Sequence, residues 1–168
     1  PILFLLTFDS GPSQVPGTTD WLTDYLRKQS ISGQFFVLGN SVQVRLDKGG
    51  ERALQALYKG QCVGVQGWEY RSHSHWQAWQ DSILRSVALV KQVLPHNYLA
   101  QFRPPYGQRR ADSGVFFQGS KGTYNFFGSL HQFDQHAFAA DGGFLVALGV
   151  QEGDVEPGRA LADAAGGE

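Results

Sequence analysis

Short apolar runs alternate with segments whose apolar residues recur at helical spacing, and this alternation limits the chain more than any other feature. The run ILFLLTF at residues 2–8 reads as a strand buried on both faces. QFFVL (34–38), CVGV (62–65), YLAQFR (98–103), TYNFF (123–127) and FLVAL (144–148) are further strand candidates. Between them, Trp21, Leu22, Tyr25 and Leu26 share a helix face, with Thr18 or Thr19 placed to cap it. Leu54, Leu57 and Tyr58 mark a helix over Arg52–Lys59 that stops at Gly60. Ile83, Leu84, Val87, Val90 and Leu94 form the stripe of a helix that Asp81 caps and Pro95 closes. Strands alternating with helices predict an α/β fold around a parallel sheet, open or closed into a barrel.

In such folds the chemistry gathers at the carboxyl ends of the strands. Asp9 follows the first strand, Gln66 and Tyr70 the third, Arg103 the fourth, and Asp134 comes shortly after the fifth. Their placement predicts one shared rim. The 168 residues fit one domain over 1–151. The Gly/Ala-rich stretch 152–168, EGDVEPGRALADAAGGE, reads as a frayed tail.

Composition closes off several function classes. A formal net charge of -1 argues against nucleic acid and anionic membrane surfaces as partners. No stretch approaches the ~20 apolar residues that span a bilayer. Cys62 is the single cysteine, which excludes an intrachain disulfide and a cysteine zinc cage; its apolar surroundings suggest an inert core thiol. Trp68, Trp76 and Trp79 suit either core packing or stacking on sugar rings. No secretory leader is recognisable, and the start inside an apolar run leaves localisation open.

Three stretches carry a resemblance. LTFDSGPS (6–13) resembles the first motif of the polysaccharide deacetylases, carbohydrate esterase family four, commonly written TFDDGP. SGQFFVLGNSV (32–42) is similar to that family's second strand, and FRPPYGQRR (102–110) to its third motif, RxPYG. The likeness covers about residues 2–150. It implies a distorted (β/α) barrel that removes acetyl groups from chitin-like, peptidoglycan or xylan substrates. It also implies a divalent metal, commonly zinc, held by one Asp and two His. By the same resemblance, Asp9 stands at the catalytic base, Arg103 pairs with it, and Asp134 belongs to the fourth motif. Pro105, Tyr106 and Gly107 form the substrate-side turn, with the Tyr106 amide on the oxyanion. An extracellular or periplasmic location follows by analogy.

The departures fall on the chemistry. Ser10 stands where the family has its Asp ligand, and Gln66 and Tyr70 stand at the two His of H-x-x-x-H. None of the three is a normal zinc ligand, so no metal is expected there and no cofactor is expected for the chain. The acid His position of the last motif falls on Gly149. The fourth motif reads HQFDQ, with His131 and Gln135 where the family has its flanking Asp and Trp; His131 and His136, on either side of Asp134, are the candidates for a substitute proton donor. Gly11, Pro12, Arg103, Pro104, Pro105, Tyr106 and Gly107 are kept. A second alignment, on EYRSHSHW (69–76), would place Glu69 and His73 as metal ligands, with His75 beyond them. Against it, His73 and His75 read as exposed loop histidines. Two classes therefore stand: a pseudoenzyme that recognises carbohydrate or serves as an interaction module, and a hydrolase with a rebuilt or metal-free site.

Overall fold

The structure, a computed structural model, describes residues 2–108 together with the strands at 125–126, 137–140 and 143–151. The strands are β1 (Ile2–Gly11), β2 (Gln34–Leu38), β3 (Cys62–Gly67), β4 (Tyr98–Phe102), β5 (Asn125–Phe126), β6 (Ala137–Ala140) and β7 (Gly143–Gln151). They form one sheet in the order β5-β4-β3-β2-β1-β7-β6. Every pairing from β5 to β7 is parallel; β6 runs antiparallel to β7 and was not expected from sequence. The last long strand returns beside the first, with Thr7 opposite Gly149 and Asp9 opposite Gln151.

Alternate strand residues go to opposite faces. Phe8, Phe35, Val37, Val63, Val65 and Phe102 join a core with Leu22 and Leu26 of helix α1 (Thr18–Lys28), Leu54 and Leu57 of α2 (Gly39–Leu57), and Ile83, Val87, Val90 and Val93 of α3 (Trp79–Val93). The other face carries Thr7, Asp9, Phe36 and Gln66, all buried. Arg103 Nη1 donates to Asp9 Oδ1 at 2.8 Å, although β4 and β1 are three positions apart in the sheet. On a flat sheet that separation is ~14 Å, beyond the reach of an arginine. The strands therefore curl around this inner face, the curvature that the barrel expectation requires.

Several local expectations are corrected. Helix α1 is capped at Gly17 rather than by a threonine: Gly17 N–H donates to Asp20 Oδ2 at 3.0 Å. A carboxylate in the first turn answers the free amides and the helix dipole. Thr19 instead accepts from Ser13 N–H at 2.8 Å and pins the loop after β1. Helix α2 starts at Gly39, well before Arg52, and is interrupted at Gly50 with φ 78; its several glycines hid it from a propensity reading. Helix α3 starts at Trp79, with Asp81 in its first turn. Leu84 is 48% exposed, because Ile83, Val87, Val90 and Leu94 already fill the inward stripe. Cys62 is half-buried at the start of β3 and not a core thiol. Trp79 is buried, Trp76 packs on the core, and half-buried Trp68 lies under the Arg85 guanidinium at 3.6 Å. No helix among the described residues is long and apolar enough to cross a membrane.

Candidate functional site

The site is built where β1, β3 and β4 end. The β1–β2 register slips between Asp9 and Gly11, so Ser10 is the extra residue of a bulge. It takes φ 71, a left-handed conformation that few non-glycine residues adopt. The bulge brings its hydroxyl across the end of β2, where Ser10 Oγ donates to Gln66 Oε1 at 2.9 Å. Two of the positions that the resemblance assigns to metal ligands are thereby bonded to each other.

Beneath them lies a buried ion pair. The Arg103 and Asp9 side chains are 2% and 4% exposed, and Arg103 Nη1 also donates to Thr7 Oγ1 at 2.9 Å. The guanidinium lies over the Phe36 ring at 4.3 Å. Thr7 was missed as a site residue, although its place two residues before Asp9 puts it on the same strand face. The expected Asp9–Arg103 contact is present, so one carboxylate oxygen of Asp9 is committed to the guanidinium.

Tyr70 and Tyr106 form the rim. Their rings lie 4.5 Å apart at 54°, with 37% and 55% of the residues exposed. Tyr106 sits at φ 58 in the short 3-10 turn Pro105–Gly107, which the RPPYG stretch forms after β4. Burial is the main cause that raises the Tyr70 phenol above its ordinary pKa; the Tyr106 backbone acts the other way, and the neighbouring Tyr106 phenol and Asp9 carboxylate add smaller raising contributions. Tyr70 is therefore a neutral phenol at neutral pH.

Zinc does not fit this donor set. A serine hydroxyl bonded to an amide, a carboxamide and a neutral phenol supply neither imidazole nor carboxylate. In the second alignment Glu69 and His73 would be the ligands. Glu69 is half-buried with its carboxylate 3.7 Å from Arg71 Nη1. His73, expected in an exposed loop, is buried: it stacks on Phe102 at 5.3 Å and 12°, and both ring nitrogens lack a hydrogen-bond partner among the described residues. That burial pushes its pKa down to about 4. His75 is exposed as expected. Among the described residues no group of three or more His, Cys, Asp or Glu could hold a metal. Asp134, His131, Gln135, His136 and the tail 152–168 lie outside the described residues.

The curled parallel sheet, the motif residues at its strand ends and the buried carboxylate–arginine pair define an α/β domain of deacetylase type. The polysaccharide deacetylase family model matches residues 2–116, and the chain belongs to that family. Among solved structures it is similar to the peptidoglycan deacetylase PdaC of Bacillus subtilis, with 23% identity and TM-score 0.59 over 74% of this chain and 57% of that one. It is similar to a CE4 family pseudoenzyme of Bacillus anthracis at 14% identity and TM-score 0.60, over 74% and 42%. It is also similar to a family 4 acetyl xylan esterase of Clostridium thermocellum, in complex with cobalt, at 24% identity and TM-score 0.57, over 74% and 56%. At such identities the likeness shows the fold. The chain spans about half the length of these structures. No curated protein matches it.

Proposed function

We propose that this chain is a polysaccharide deacetylase domain that binds acetylated carbohydrate and has given up metal-dependent turnover. The observation that carries this reading is the 2.9 Å bond from Ser10 to Gln66, which satisfies two ligand positions with each other. Tyr70 adds a neutral phenol at the third. The scaffold of the site is kept: Asp9 and Arg103 remain paired, and the Pro105–Gly107 turn is formed. Loss that falls on the metal, acid and fourth-motif positions, while Asp9, Arg103 and the Pro105–Gly107 turn stay, is what a retained binding role leaves behind. The exposed rings of Tyr70 and Tyr106 offer aromatic surface to the C–H face of a sugar. Lost activity on this fold is recoverable: a mutant of the Bacillus anthracis pseudoenzyme has restored enzymatic activity.

The test joins metal analysis of the purified protein to an acetate-release assay on a chitin oligomer and on acetylated xylan, with and without zinc and chelator. The expected result is binding of the oligomer, no stoichiometric zinc and no chelator-sensitive acetate release. Turnover at ~1–10³ s⁻¹, the range of ordinary enzymes, that survives chelation would overturn the reading. Asp9 would then be the base of a metal-free hydrolase, and Asp9→Asn would abolish the activity.

A further inference from the structure

Helix α2 faces the loop that leaves β1, and a cavity of about 240 Å³ opens between them. Leu54, 1% exposed, forms its floor, and Gln14, Pro16 and Lys48 form exposed walls. Asp20 and Arg45 complete the lining, with the Arg45 side chain only 11% exposed. Both carboxylate oxygens of Asp20 are engaged: Oδ1 accepts from Arg45 Nη2 at 2.6 Å and Oδ2 from Gly17 N–H at 3.0 Å. The remaining guanidinium N–H groups of Arg45 have no partner among the described residues. The Lys48 ammonium donates only to the Gln14 carbonyl oxygen, across 3.4 Å. Of the charged groups in the lining, the anion is satisfied and the two cations are not. The spare hydrogen-bond capacity is donor capacity and the surplus charge is positive, which suits an anion.

We propose that this cavity binds the carboxylate of an acidic sugar residue, as a second contact for the saccharide whose acetylated part lies in the cleft. The proposal rests on the carbohydrate-binding reading above and deepens it by naming an acidic polysaccharide as the ligand class. A planar carboxylate matches the fork of an arginine, and Lys48 adds a point charge. Pro16 and Leu54 give apolar surface to the carbon body that carries a carboxylate, which a free phosphate lacks. The volume is below the ~300–1,000 Å³ of pockets that enclose a whole drug-sized ligand, so one group enters and the rest of the saccharide stays outside. Ser10 belongs to the cleft and Gln14 to the cavity, and the stretch of chain from one to the other reaches at most ~14 Å. A short oligosaccharide bridges that distance.

The experiment is calorimetric titration with an acetylated xylan oligomer that carries a glucuronate side group and with the same oligomer lacking it. Native protein should bind the glucuronate form roughly 3- to 10-fold more tightly. Lys48→Gln, a change at an exposed side chain, should remove the advantage and Lys48→Glu should turn it into a penalty, while the plain oligomer binds all three proteins alike. Equal affinity of native protein for the two oligomers overturns the proposal, as does an advantage that survives in Lys48→Glu. Methyl glucuronide alone should shift the backbone amide resonances of Gln14 and Gly49, which line the cavity. If it does so in native protein and not in Lys48→Glu while neither oligomer binds, the carboxylate site stands and the acetylated-carbohydrate reading of the cleft falls. If acetate shifts the same amides at the same concentration, the site takes any small carboxylate and the acidic sugar falls. Silence of every probe overturns both readings.

Discussion

His73→Leu should make the fold less sensitive to acid. His73 is buried, stacks on Phe102 near Trp76, and has no hydrogen-bond partner among the described residues for either nitrogen. Burial without a partner disfavours the imidazolium, so the folded-state pKa drops from 6.5 to about 4. The sign follows from linkage. Between these two values the unfolded chain binds a proton that the folded chain does not, so stability falls as pH falls. The contribution is complete above about pH 6.5 and gone below about pH 4, and over that window it amounts to ~3 kcal/mol, at ~1.4 kcal/mol for each unit. At about pH 5 the loss has reached ~2 kcal/mol. Leucine is close to histidine in size and does not titrate. Its packing cost is the same at every pH, so the comparison is between slopes. Urea unfolding of both proteins, followed by tryptophan fluorescence from about pH 7.5 to about pH 5, should show the native protein losing ~2 kcal/mol more than the variant. Parallel curves, with losses equal to within ~0.5 kcal/mol, would show that His73 is solvated or bonded in the native state and refute the reasoning.

Three further outcomes follow from the same site. Asp9→Asn leaves the Arg103 guanidinium buried without its counter-charge and should cost ~3–5 kcal/mol, read as a lower urea midpoint; a loss below ~1 kcal/mol would mean that the pair is solvated. Gly64→Ala would place a Cβ 2.7 Å from the Gln101 backbone oxygen, so β3 and β4 must part at a cost of ~1–3 kcal/mol, whereas unchanged thermal stability would mean that the strands yield freely. In calorimetric titration with zinc, Ser10→Asp alone should bind weakly and the triple variant Ser10→Asp, Gln66→His, Tyr70→His stoichiometrically. Adding Gly149→His should then raise acetate release by ~10²–10⁴-fold, and no gain would remove position 149 as the site of the proton donor.

What the sequence by itself determined was the order of elements and the residues at their ends. Apolar runs such as QFFVL mark strands that are covered on both faces, and all five residues of that run are buried. The placement of Asp9, Gln66, Tyr70, Arg103 and Asp134 after successive runs predicted a shared rim, because parallel strands carry their carboxyl ends to one side; Asp134 lies outside the described residues. The tertiary structure decided the contacts, because they depend on how strongly the sheet curls and on where one strand bulges. Ser10 meets Gln66 across the end of β2 only through the extra residue in β1. Arg103 reaches Asp9 only because four strands bend around a common interior. His73 could not be read from its H-x-H pattern: whether a loop imidazole lies in water or flat against Phe102 is settled by the packing of β4 and α3, and no local sequence rule carries that information.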